Sequence, residues 1–158
     1  MKKKYNIQLN LSDRERSNLR KNKVRISEIL DYAVNELEEI LSVSPERARE
    51  VYALADFQRI PSIGIRFAED LTFLGYYSVD ELRNKDRALL TDTFEKKKGY
   101  STDVCVEDQF RLAVHFANTN DYSKNWWDFT QERKKFRIEM GYPKDRPKTT
   151  WQEIVKKT

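Results

Sequence analysis

Phe57-Gln58-Arg59-Ile60-Pro61-Ser62-Ile63-Gly64-Ile65-Arg66-Phe67-Ala68-Glu69-Asp70-Leu71 is the stretch that decides how the chain folds. A helix entering it must stop at Pro61, which has no amide to donate and whose ring clashes with a preceding helical turn. Gly64 then permits a tight turn. A second helix starts at once, with Phe67, Leu71 and Leu74 at spacings of three and four on one side. Two helices joined by a short turn are therefore expected here.

Upstream, Ser44-Pro45 reads as an N-cap followed by proline at the first helical position, and Ala48, Val51, Tyr52 and Ala55 continue a stripe to Phe57. From Ile26 onward, Ile29, Leu30, Ala33, Leu37, Ile40 and Leu41 predict one helix with a single apolar face. Before it, Ser12-Asp13-Arg14-Glu15 is a capping box, and Tyr5, Ile7, Leu9 and Leu11 alternate with polar residues as in a short half-buried strand. Downstream, Gly75 and Gly99 close periodic segments, and Ser78-Val79-Asp80-Glu81 is a second capping box. Val106, Phe110, Ala113, Val114 and Ala117 make another stripe, and so do Trp126, Phe129, Arg133, Phe136 and Met140. Pro143 to Pro147 interrupts, and Thr150 caps a last short helix. The fold class expected is all-α, built of tandem helical-hairpin layers with a short N-terminal strand and an aromatic-rich C-terminal arm. The organisation expected is a basic N-terminal segment with helices over 1–42, a core domain over 43–142 and a Pro/Lys-rich arm over 143–158.

The pattern apolar, Pro, Ser, apolar, Gly at residues 60–64 resembles the helix-hairpin-helix motif of DNA repair and recombination proteins, with Gly64 at its second glycine and Ser62 where the first would stand. That resemblance implies that backbone amides of the turn face a phosphate, aided by the positive end of the following helix. Three further runs, Gly75 to Leu82, Asp103 to Val114 and Asn125 to Thr130, together resemble the bacterial pathogenicity-locus family over about residues 43 to 151. For that family, nucleic-acid binding is inferred from the motif.

Composition bounds the rest. At 158 residues, 39% hydrophobic and 35% charged, the chain is apolar enough for a core and too charged for a membrane protein. No apolar run suits a signal or anchor, and the single cysteine, Cys105, excludes an intramolecular disulfide framework, so a cytoplasmic location is expected. The net charge of +4 hides a division. Met1 to Arg25 carries nine Lys and Arg against two acids, residues 130–158 carry nine against four, and the remainder carries twelve against twenty. Basic ends flank an acidic middle.

No catalytic set assembles. Cys105 and His115 stand ten positions apart, about 15 Å along a helix at 1.5 Å per residue. One cysteine and one histidine lack any zinc spacing, and neither a Gly-rich lysine loop nor a GxSxG elbow is present. Trp126 and Trp127, beside Arg133, Lys134, Lys135 and Arg137, suit base stacking, but packing is the stronger reading. The polar-faced start also has the look of a ribbon-helix-helix protein, against which only Leu19 is apolar between Asp13 and Val24. The function expected is non-enzymatic, without metal or cofactor: sequence-independent contact with nucleic-acid phosphates through Ser62, Ile63, Gly64, Ile65 and Arg66. The alternative is a protein-interaction scaffold whose hairpins are purely structural. No oligomeric state follows from the sequence.

Overall fold

The computed structural model describes residues 5–157, so the basic start Met1 to Lys4 lies outside it. Among the described residues the architecture is all-α, with no strand. The chain divides into one unit over 1–81 and another over 82–158, the division falling inside residues 43–142.

The first unit holds α1 (Asp13–Lys21), a 3-10 turn at Ile26–Asp31, α2 (Val34–Leu41), α3 (Pro45–Phe57) and α4 (Ile65–Phe73). The capping box of α1 forms as expected: the Ser12 hydroxyl accepts from the Glu15 amide at 3.1 Å, and the Glu15 carboxylate accepts from the Ser12 amide at 2.8 Å. Glu15 is buried and also accepts from Arg47 of α3 at 2.8 Å. The Arg47 guanidinium holds its carboxyl down to about 2 against burial that works the other way. The unit's core is Ile29, Leu37, Leu41, Val51, Leu54, Phe57, Phe67 and Leu71, all buried. Buried Asp56 of α3 accepts from the Val79 amide at 2.7 Å and from Arg59 at 2.8 Å, which ties the segment after α4 back to α3.

Two sequence expectations are corrected here. Tyr5 to Leu11 is not a strand, although its alternation survives: Leu9 and Leu11 are buried while Asn6, Gln8 and Asn10 are exposed. The Gln58 carboxamide stands where a neighbouring strand would, accepting from the Gln8 amide at 2.9 Å and donating to the Gln8 carbonyl at 2.7 Å. One side chain supplies one rung, and a strand needs a ladder. The single helix expected from Ile26 to Leu41 is broken at Tyr32 and Ala33, whose backbones are extended. Glu28 folds back on the Arg25 amide and Glu36 on the Ala33 amide, both at 3.0 Å, so each starts its own short helix.

The second unit holds α5 (Arg87–Lys98), α6 (Val104–Thr119), a 3-10 turn at Trp126–Phe129, α7 (Thr130–Met140) and α8 (Trp151–Lys156). The Ser78–Glu81 capping pair, in the first unit, leads only into a 3-10 turn at Asp80–Leu82; α5 is capped instead by Asp86, whose carboxylate accepts from the Leu89 amide at 3.0 Å. The stripe on α6 accounts for fewer than half of the residues the helix buries. Phe110, Ala113, Val114 and Ala117 are buried as expected, yet so are Glu107, Asp108 and Arg111. Glu107 accepts from Arg111 at 2.8 Å and from Arg137 of α7 at 2.8 Å, and Asp108 accepts from Arg133 at 2.6 Å and from the Thr130 hydroxyl at 2.9 Å. The acids of α6 are therefore core residues, not the solvated face that a polar residue on a helix suggests.

The arm after α7 returns to α5 and the segment that follows it through charge and one backbone bridge. Arg146 reaches buried Glu95 at 2.9 Å, Lys96 pairs with Asp145, and Ser101 exchanges backbone hydrogen bonds with Thr149 and Trp151. Its aromatic contribution is Tyr142, whose ring lies 4.2 Å from the Arg137 guanidinium and 3.7 Å from that of Arg146. The stripe expected along α7 ends early, with Phe129 and Arg133 buried and Met140 exposed. Of the tryptophan pair, Trp127 is 55% exposed and meets Trp126 edge to face, so neither is a deeply packed anchor.

Candidate functional site

The turn between α3 and α4 is built from the inside. Ile60 and Ile63 are buried, and three backbone bonds close the chain on itself: the Arg59 amide to Asp56, Ile60 to Phe57 and Ile63 to Ile60. Ser62, Gly64 and Arg66 are exposed and Ile65 is half-buried. Of the five residues expected to share a phosphate site, Ile63 is thus the inward anchor and the other four line the outer surface.

The positions of the two turn residues exchange their expected roles. Gly64 has φ −105° and needs no special freedom, whereas Ser62 sits at φ 61°, in the left-handed region. Its hydroxyl donates to the Pro61 carbonyl at 2.6 Å. An L-residue there carries about 1 kcal/mol or more of strain, partly offset by the greater freedom that glycine loses on folding. Ser62→Gly is accordingly expected to raise stability by about 0.5 to 1 kcal/mol, read from the urea unfolding midpoint. A lowered midpoint would mean that the hydroxyl bond outweighs the strain.

Gly64 leaves open space beside the backbone. It is the N-cap of α4, and a Cβ built on it would meet nothing within 4 Å, so the backbone there is open to approach. The Ile65 and Arg66 amides that follow have no acceptor among the described residues, as the first turn of a helix leaves them, and they lie at its positive end. Arg66 makes no ion pair among the described residues, and the first turn of α4 holds no acid; Glu69, exposed, comes one turn later. The arrangement is able to receive an anion.

Elsewhere, Cys105 is half-buried, and burial followed by the nearby Asp103 carboxylate pushes its thiol up to about 11, so it is protonated at neutral pH. His115, farther along α6, pairs with Asp121 at 3.1 Å and packs against Phe129. Among the described residues no three His, Cys, Asp or Glu side chains group as metal ligands, and no helix is long and apolar enough to cross a membrane. The carboxylate and arginine set of α6 and α7 escaped the sequence because acids at helical spacing look alike whether solvated or buried. Its one signal was that Arg133 fell inside an otherwise aromatic stripe.

Comparison with known proteins finds the family described as Cdd1, pathogenicity locus, matching residues 50–135, just over half of the chain. No curated protein and no solved structure matches.

Proposed function

The chain belongs to the Cdd1 pathogenicity-locus family, and we propose from the geometry of its α3–α4 turn that it is a non-enzymatic nucleic-acid-binding protein in which the α3–α4 pair is a helix-hairpin-helix gripping backbone phosphates without regard to sequence. The observation that carries this reading is the exposed turn at Ser62 to Arg66, with an open Cβ position at Gly64 and two unpaired amides beside an arginine that has no acidic partner among the described residues. Phosphate contacts of this kind fix position on the strand and carry no base information.

One turn engaging about two phosphates implies a slope near −2 for log affinity against log salt, and a dissociation constant of about 10⁻⁶ to 10⁻⁴ M. Arg66→Glu replaces an attractive contact by a repulsive one at an exposed position. Affinity should fall by roughly tenfold, equally for duplex, single-stranded and RNA probes, with the slope smaller by about 1 and the melting temperature unchanged. Fluorescence anisotropy at two salt concentrations measures all three. Unaltered binding in this variant would remove the hairpin from the interface, and no binding of the wild-type chain to any probe at low salt would leave the hairpin a structural unit of a protein-interaction scaffold.

A further inference from the structure

The arginines of the chain fall into two populations. In the second unit each one is engaged internally: Arg83 with the Ala117 carbonyl, Arg87 with Glu132, Arg111 with Glu107, Arg133 with Asp108, Arg137 with Asp92 and Glu107, Arg146 with Glu95. In the first unit Arg47, Arg49 and Arg59 are paired likewise. Arg14, Arg20 and Arg25 are exposed and, like Lys21 and Lys23 between them, have no acidic partner among the described residues. The cations of α1 and the turn after it are thus left facing solvent, while Arg133, Arg137 and Arg146 are spent on buried carboxylates.

The fold displays these cations on one element. Glu15 and Leu19 are the buried side of α1. At about 100° per residue, Arg14 and Lys21 share the outer face and Arg20 flanks it. Lys23 and Arg25 follow directly in the exposed turn. Of the acids nearby, Glu15 is neutralised by Arg47, Glu28 and Glu36 bond backbone amides, and Glu38 and Glu39 of α2 make no ion pair with these cations. Asp13, at the start of α1, and Asp31, in the 3-10 turn after Arg25, are further exposed acids. The outer face holds no apolar side chain to enter a bilayer, which separates it from a membrane-binding helix.

Its place in the unit is fixed by α3. Gln8 is bound to Gln58, beside the turn, and Glu15 is bound to Arg47, eleven residues back, so α1 begins about 16 Å from the turn along the α3 axis. Along duplex DNA that is about five phosphates of one strand at 3.4 Å each.

We propose that the outer face of α1, with Arg14, Arg20 and Lys21, is a second phosphate-binding surface that holds the same duplex as the α3–α4 turn, the two contacts lying at opposite ends of α3. The assignment rests on the hairpin reading for its partner and on charge and placement for its position.

The test uses the full chain and a fluorescent 20-base-pair duplex, with Arg14→Gln, Arg20→Gln and Lys21→Gln combined and Arg66→Glu made separately. Three phosphate contacts on α1 at about 0.9 each add about 2.7 to the turn's slope, so the wild-type slope should lie near about −4.7; the triple variant should return it to about −2 and weaken low-salt binding by at least tenfold with the melting temperature unchanged. A triple variant with the wild-type slope overturns this inference and leaves the hairpin reading intact if Arg66→Glu still weakens binding. Loss in the triple variant with none in Arg66→Glu does the reverse, upholding α1 as the surface and removing the hairpin. Titration to saturation should give one duplex bound per chain, because both surfaces hold the same one; two duplexes per chain overturns the shared-duplex geometry. Tighter binding to phosphatidylserine vesicles than to duplex at equal salt overturns the choice of partner.

Discussion

Replacing Asp108 by alanine should lower the stability of the chain by about 3 to 5 kcal/mol, the largest effect expected of any polar substitution here. Asp108 is 1% exposed, and its two oxygens meet Arg133 at 2.6 Å and the Thr130 hydroxyl at 2.9 Å. The neighbouring pair differs in a way that ranks the two. If Glu107 is removed, Arg137 keeps Asp92 and Arg111 keeps Glu132; if Asp108 is removed, Arg133 has no second carboxylate among the described residues. An uncompensated guanidinium is left in a buried position, and that penalty dominates. Removing both charges together, as Asp108→Leu with Arg133→Met, should recover most of the loss because desolvation of either ion no longer has to be offset. Urea unfolding of the two single variants and the double variant yields the coupling directly. A single-variant loss below about 1 kcal/mol would show that the pair is more hydrated than its burial indicates.

Phe57→Ala should cost about 3 to 5 kcal/mol by the same measurement, for a different reason. Phe57 is the last residue of α3, has no solvent exposure, and its carbonyl accepts from the Ile60 amide at 3.1 Å. The ring therefore fills the core immediately beneath the start of the turn. Truncation leaves a void that the closed turn cannot collapse into without breaking its own backbone bonds. Phe57→Leu, which keeps most of the volume, should lose no more than about 1.5 kcal/mol. Similar losses for Leu and Ala would point to a requirement for the ring itself instead of for filled space.

Helix starts were legible at Ser12, Ser44 and Thr150, each of which accepts the amide its position predicts. The turn at Pro61 was legible for the same local reason. What was hidden required knowledge of a distant neighbour. The alternation of Tyr5 to Leu11 is a true record of which residues are buried, yet nothing local says that the partner is the carboxamide of Gln58, fifty residues away. Periodicity from Ile26 to Leu41 records the burial of Ile29, Leu37 and Leu41 but passes over the extended step at Tyr32 and Ala33, where Ala33 is exposed. In the candidate site, the left-handed residue is Ser62 and not Gly64, because a glycine in sequence signals permission and not use.

The two populations of arginine imply two kinds of tolerance to change. Arg137 donates in one direction to Glu107 and in another to Asp92, each at 2.8 Å, a span that a planar fork with five donors covers and a single ammonium does not. At such a position charge is not the conserved quantity; geometry is, and Arg→Lys is a severe change. On α1 the opposite holds. Arg14 and Arg20 hold no carboxylate among the described residues, so lysine serves there as well, and a residue can even move a turn along the helix provided its positive charge remains. One unit of this protein is written in shape and one surface of the other in charge alone, and the two will drift at different rates under the same mutational pressure.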